Sequence, residues 1–221
     1  MPRCGLAKPR AQVGIDDLDL VVGNRPLGDG AVRRILRELP IRDHSRVRQL
    51  PLPGHHLGHA AVAFYPSGFE RAAVLVVDQA GARFPDSRRI EKHTLFRGEG
   101  TTLRPVAATT YPEDYSDLSL GLFYDFFTTR LGFVTRYGTP DFGVFDCGGY
   151  PEAGKTMGLA PYGRPRPDWG DWLTLDGFDV RASQESLERI WRELLAAEGG
   201  DFSPADPLRW QTPFAEDVAR K

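Results

Sequence analysis

Cysteine, unbalanced charge and long apolar runs are what this 221-residue chain has least of. Its two cysteines, Cys4 and Cys147, are far apart and too few for a disulfide framework or a zinc cluster, which fits a reducing, cytoplasmic setting. Lys and Arg number 28 against 30 Asp and Glu, without a run of one sign, so charge points to neither a nucleic-acid nor a membrane partner. The longest apolar stretches, such as 72–77, fall far short of the roughly 20 residues that span a bilayer. Met1-Pro2-Arg3-Cys4-Gly5 has no apolar run behind it and does not read as a signal peptide. There is no internal repeat. The length suits one large domain or two small ones with a real core.

What is present alternates between strand and helix patterns. Residues 14–22 read as a turn feeding a short strand that ends at Gly23-Asn24. Val32, Ile35, Leu36 and Leu39 give residues 31–39 a helical stripe that stops at Pro40. Residues 73–78 have the continuous apolar character of a strand buried on both faces. Residues 92–97 and 101–109 predict two further strands joined at Gly98-Glu99-Gly100. Leu120, Phe123, Phe127 and Leu131 predict a buried helix over 118–131 with Gly132 as its C-cap. A Gly-rich stretch, 138–149, predicts a long functional loop, with 137–150 as a candidate binding loop. A second helix is predicted from Ser183, its N-cap, to Glu198, with Leu187, Ile190, Trp191, Leu194 and Leu195 on one face. Residues 213–221 begin as a helix with Pro213 near its first position; so short a helix is marginal by itself, and the sequence reads as cut there.

Three places carry chemistry. His55 and His59 in His55-His56-Leu57-Gly58-His59 are four apart, which on a helix puts both imidazoles on one face, able to share a metal ion. A bare pair is more often coincidence, but this one lies between a loop, 51–54, and a buried strand, where open α/β sheets place ligands. His56 points about 100° away and is a poor co-ligand. Imidazoles suit zinc, iron, nickel or copper, and a third ligand, most simply a carboxylate, has to come from elsewhere. Asp78 ends the apolar strand; it reads equally as a ligand-crevice carboxylate or as the cap of the next turn. Gln79-Ala80-Gly81-Ala82 is a small-residue turn able to bring backbone N–H groups to a phosphate or carbonyl oxygen. Gly154-Lys155-Thr156, with Gly149 five residues earlier, invites a P-loop reading. That reading fails, because no strand precedes Gly149 and Pro161 stops the following helix. Lys155 remains a candidate for an anionic ligand.

Taken in order, His55-His56-Leu57-Gly58-His59-Ala60, Phe64-Tyr65-Pro66-Ser67-Gly68-Phe69, Leu75-Val76-Val77-Asp78, Ser119-Leu120-Gly121-Leu122-Phe123-Tyr124 with Thr128, Leu131-Gly132-Phe133 and the run from Gly154 to Gly163 resemble O-carbamoyltransferases of the nodulation-factor and antibiotic-biosynthesis type. The resemblance covers nearly the whole chain, from about residue 14 to 221. It implies an α/β, actin-like (sugar-kinase-like) fold with a mixed sheet and flanking helices. The implied activity is transfer of a carbamoyl group from carbamoyl phosphate, through carbamoyl-adenylate made with ATP, to a hydroxyl of a sugar or other natural product. By resemblance His55 and His59 hold a divalent metal, usually taken as iron (Fe2+). Asp78 with Gln79, Ala80 and Gly81 lies at the nucleotide and carbamoyl site, and Gly154 and Lys155 lie near the nucleotide, with Mg2+ in the full-length enzyme. Chemically, the metal can polarise the carbamoyl carbonyl or anchor phosphate, or a neutral histidine can take the hydroxyl proton.

Two departures bear on this. The family pattern Asp-Gly-x-Gly-Glu is here Asp78-Gln79-Ala80-Gly81-Ala82, so a position that elsewhere can take positive φ carries Gln79, and Ala82 supplies no carboxylate. Family members are also more than twice this length. Residues 1–221 are therefore expected to be an incomplete N-terminal actin-like domain. The second actin-like half, with the third metal ligand, an Asp, and the carbamoyl-adenylate-forming domain would lie outside it. The competing expectations are a non-catalytic remnant or split subunit needing a second chain, and, more weakly, an actin-like kinase.

Overall fold

The computed structural model describes residues 18–23, 43–50, 53–84, 86–135, 150–200 and 202–221. The predicted helix over 31–39, the loop 138–149, the start of the turn at Gly14, Pro51-Leu52, Cys4 and Cys147 lie outside the described residues. The architecture is mixed α/β. The chain divides into two compact units, residues 1–76 with 81–108, and residues 77–80 with 109–221. Among the described residues no helix is long and apolar enough to cross a membrane.

In the first unit, β1 (Val21–Gly23) pairs parallel with β2 (Val47–Gln49), Val21 opposite Val47. Helix α1 (His55–Phe64) opens at the histidine cluster and closes into a single turn that contains Pro66, with Gly68 left-handed at its exit. Strand β3 (Arg71–Val77) joins β5 (Arg89–Glu99), which also pairs with the short β4 (Arg83–Phe84) and with β6 (Thr102–Pro112). Strands β5 and β6 outgrow the predicted 92–97 and 101–109, and the reversal between them sits at Gly100 (φ 55°) and Thr101, beyond the predicted Gly98-Glu99-Gly100. Extended β-branched and aromatic residues continue the ladder until a residue able to take positive φ appears.

The expectation for β3 is corrected. It is not buried on both faces: Val74 and Val76 turn inward while Leu75, 58% exposed, and Val77 turn outward. The run is apolar on both sides, but period-two alternation lets only one side reach the core. That core joins Val74, Val76 and Phe96 to Ala60 and Phe64 of α1, with Leu57, Ala72 and Leu103 around them. Gly98 lets the Phe64 ring lie flat against β5, since a Cβ there would stand 2.6 Å from it.

The second unit is aromatic and helical. Helix α2 (Leu120–Arg130) is capped by Ser119, whose Oγ accepts the Leu122 N–H, and Gly132 (φ 76°) lets the chain leave it. Strands β7 (Val134–Thr135) and β8 (Tyr150–Pro151) pair antiparallel ahead of α3 (Ala153–Leu159). A hairpin of β9 (Thr174–Asp176) and β10 (Asp179–Arg181) leads to α4 (Gln184–Glu198), whose N-cap is Ser183 as predicted. Leu187 and Trp191 of α4 are buried with Phe126 and Phe127 of α2, and Phe127 stacks on Trp172 at 4.6 Å.

The last helix, α5 (Pro213–Arg220), would be marginal in isolation but is held by tertiary contacts. Thr212 caps it, Phe214 and Val218 are buried, and Asp217, 2% exposed, accepts the Arg164 N–H at 2.7 Å and faces Arg166. Packing an amphipathic face, rather than intrinsic propensity, sustains a helix of this length.

Candidate active-site residues

The histidine cluster forms the first turn of α1, as its spacing predicts. The rings of His55 and His59 meet edge to face with centroids 4.7 Å apart, and their Nε2 atoms are 3.1 Å apart. His55 is half-buried and His59 exposed. Two imidazole nitrogens at this separation suit a shared proton or one ion between them. His56 points elsewhere, as expected: it is fully buried, its Nδ1 2.8 Å from Thr94 Oγ1 and 4.0 Å from a Glu91 carboxylate oxygen.

Gly81 lies against this same buried cluster. Its N–H donates to the Glu91 carbonyl at 3.1 Å, and a Cβ on it would stand 2.7 Å from His56 Nε2 and 2.5 Å from Glu91 Cβ. Ala82, where the family pattern has glutamate, is buried, and its N–H donates to Glu91 Oε2 at 2.7 Å. Strand β5 thus brings a carboxylate to the turn that the turn's own sequence lacks. The turn's N–H groups at 81 and 82 are engaged by Glu91 rather than forming the open cradle that its small residues led us to expect.

In the second unit, Asp78 and Gln79 meet the start of α2. Asp78 Oδ1 accepts the Gln79 N–H at 2.7 Å, the turn-capping geometry weighed for it from sequence. The Gln79 carbonyl accepts the Ser119 hydroxyl at 2.7 Å and the Tyr111 hydroxyl at 3.3 Å. The Gln79 side-chain amide donates to Asp125 Oδ2 on α2. Gly121 makes this approach possible, because a Cβ there would lie 2.5 Å from Gln79 Cα and 2.6 Å from its nitrogen. Gln79 does not have positive φ, so a side chain is carried at this position without backbone strain.

Asp125 is 8% exposed, and its carboxyl is pushed up to about 6 from 3.8. Burial is the main cause; the Asp78 charge adds to it and the Gln79 hydrogen bond works against it.

Gly154 and Lys155 sit in the first turn of α3. A Cβ on Gly154 would meet open space, and Lys155 Nζ donates to Glu152 at 2.5 Å. Their neighbour Thr156 is buried and shares a 2.9 Å hydrogen bond with Thr128 of α2. Helix α3 gives way to a 3-10 turn at Ala160–Tyr162, as Pro161 leads one to expect, while Gly149 and the stretch before it lie outside the described residues. Lys155 borders a groove of about 410 Å³ with Phe133, Tyr162, Arg209 and Trp210.

The site residues read from sequence sit on three elements: His55 and His59 on α1, Asp78, Gln79 and Ala80 directly after β3, and Gly154 and Lys155 on α3. Glu91, Thr94, Tyr111 and Asp125 were not singled out. Only Asp125 carried a visible signal, a lone carboxylate inside the apolar run 118–131.

Comparison with known proteins is informative at this point. The family profile described as carbamoyltransferase N-terminus matches residues 16–175. An uncharacterized protein of a Synechocystis strain is 38% identical over 51% of the chain and 14% of its own length. Nodulation protein NolNO of Sinorhizobium fredii is 40% identical over 51% of the chain and 13% of its own length. Nodulation protein NolO of Bradyrhizobium diazoefficiens is 34% identical over 50% and 15%. The matched stretch thus spans about a seventh of each of these relatives.

Proposed function

The chain belongs to the carbamoyltransferase N-terminus family, and from that premise we propose that it is part of an O-carbamoyltransferase. In this reading carbamoyl phosphate is the carbamoyl donor, carbamoyl-adenylate made with ATP the activated form, and a hydroxyl of a sugar or other natural product the acceptor. The supporting observation is the family match over residues 16–175, which contains the histidine turn and the Asp78 turn.

The donor set on α1 fits a divalent metal. His55 and His59 present Nε2 atoms 3.1 Å apart from a single helical turn, and His56 is turned away into the core. These two would hold the ion, Fe2+ in this proposal, with a carboxylate from elsewhere. When bound there it would polarise the carbamoyl carbonyl or anchor phosphate oxygens as a Lewis acid. The fixed helical turn keeps both imidazoles in one orientation, so little reorganisation accompanies binding. The packing of His56 on Thr94 sets the rotation of that turn. Asp78, held by the Gln79 N–H, lies at the nucleotide and carbamoyl position. Gly154 and Lys155 are assigned to the phosphate side, with Mg2+ accompanying ATP.

The test is direct. A full-length protein, reconstituted with the second actin-like half and the adenylate-forming domain, is incubated with carbamoyl phosphate, ATP and a panel of hydroxyl-bearing sugars, and product is followed by mass spectrometry. The reading expects ATP-dependent carbamoylation and a fall in bound metal in His55→Ala and His59→Ala. Product without ATP removes the adenylate route, and unchanged metal in both variants removes the metal assignment. No carbamoylated product in any arm would sink the proposal.

A further inference from the structure

Nothing in the family pattern accounts for Gln79 or for the buried Asp125 that receives its side chain. Ionised groups at 8% exposure are costly to keep, and a carboxylate is retained in such a place when it is paired or when it has work to do. Three further contacts converge on the same residue. The Gln79 carbonyl takes two hydroxyl donors, Ser119 and Tyr111. Its backbone rests on Gly121 with no room for a Cβ between them. Its own N–H is left pointing at Asp78 Oδ1. Residue 79 is thus fixed at its carbonyl, its Cα and its side chain, and the one remaining backbone group aims the preceding carboxylate.

We propose that Asp125 is a positioning residue: by anchoring the Gln79 side chain it fixes the direction of the Asp78 carboxylate. This rests on the reading of Asp78 as a group of the carbamoyl-transfer site. In a relative with glycine after the aspartate no side chain could reach α2, so the Gln79–Asp125 pair is a substitute device. The backbone freedom that a glycine brings is replaced here by a side-chain tether. The device predicts that Gln79 and Asp125 act as a unit, so that losing either is equivalent to losing both.

The experiment has a spectroscopic arm and a kinetic arm. In the 13C,15N-labelled protein, the Asp78 carboxyl carbon reports its hydrogen bond to the residue 79 N–H. We expect it to shift in Asp125→Ala and in Gln79→Gly, and to return most of the way in Asp125→Asn, which keeps an acceptor oxygen. In transfer assays Asp125→Ala and Gln79→Gly should each lower kcat by about tenfold while the acceptor KM changes less than about twofold. The double variant should be no worse than either single, and Asp125→Asn should recover most of the loss. An unmoved Asp78 carboxyl carbon in both single variants, or losses that multiply in the double variant, overturns the proposal. Should Asp125→Ala fail to fold, Gln79→Gly and Asp125→Asn carry both arms. Absence of transfer by the unmodified protein defeats the carbamoyl-transfer reading alone, since the spectroscopic arm then still decides whether the tether exists.

Discussion

The histidine turn and the Asp78 turn hold their polar groups in opposite ways. On α1 the three histidines are local in sequence. Helical geometry alone puts His55 beside His59 and sends His56 inward to Thr94. Around Asp78 the groups come from residues 78–79, 111 and 119–125, and a glycine with no room for a side chain lets them meet. The first arrangement exposes its chemistry and is expected to tolerate change at the surface. The second buries a carboxylate and is expected to be sensitive at every contact.

Gly121→Ala is the most severe way to break the second arrangement. The new Cβ would press on the Gln79 backbone, which cannot rotate away as a side chain would. Although alanine favours the helix, urea denaturation should record a net loss of about 3 kcal/mol. On α1 the matching test is His56→Ala, which leaves a cavity and strips Thr94 of its buried partner. It should cost about 2–3 kcal/mol in the same measurement. A loss at the exposed His59 as large as that at Gly121 would remove the contrast.

Asp125→Asn sharpens the comparison through pH. The Asp125 carboxyl is raised to about 6 in the folded protein from 3.8, so the folded state holds its proton more tightly than the unfolded chain. Its contribution to stability is therefore full below about pH 4 and is lost as pH rises through about 6. The asparagine variant has no such loss. It should match the parent near pH 4 and exceed it by about 3 kcal/mol above pH 7, read from melting curves across that range. A parent whose stability relative to the variant does not change between pH 4 and 7 contradicts the burial argument.

Smaller effects belong to the exposed positions. Gly154→Ala fills open space in the first turn of α3 and should stabilise by about 0.5–1 kcal/mol, unlike the glycine at 121. His59→Ala removes an exposed ring and should change stability by less than about 0.5 kcal/mol, while metal content by elemental analysis falls. A large stability loss at His59 would mean that the ring does structural work not visible in its surroundings.

How much of this could be read from the chain follows from the range of the interactions. The helix beginning at His55, the caps Ser119 and Ser183, and the exit at Gly132 were legible, because each is written within about four residues of itself. The order of motifs was enough to place the chain in its family. The two-sided burial of β3 was misread because an apolar strand looks the same whether one face or both are covered, and only the neighbours decide. The short helix at 213–220 seemed marginal because Arg164 and Arg166, which meet Asp217, lie some fifty residues earlier.

The departures from the family pattern mark the boundary most clearly. By sequence, Gln79 and Ala82 are two losses, a missing glycine and a missing carboxylate. Periodicity and spacing determined that a histidine pair and a strand-ending aspartate exist, because those signals are local. That Glu91 meets the turn at Ala82, and that Asp125 receives the Gln79 side chain, was decided only by tertiary structure. Partners 9 and 46 residues away leave no periodic trace in a sequence, since what joins them is the close approach of packed elements rather than the geometry of any one of them.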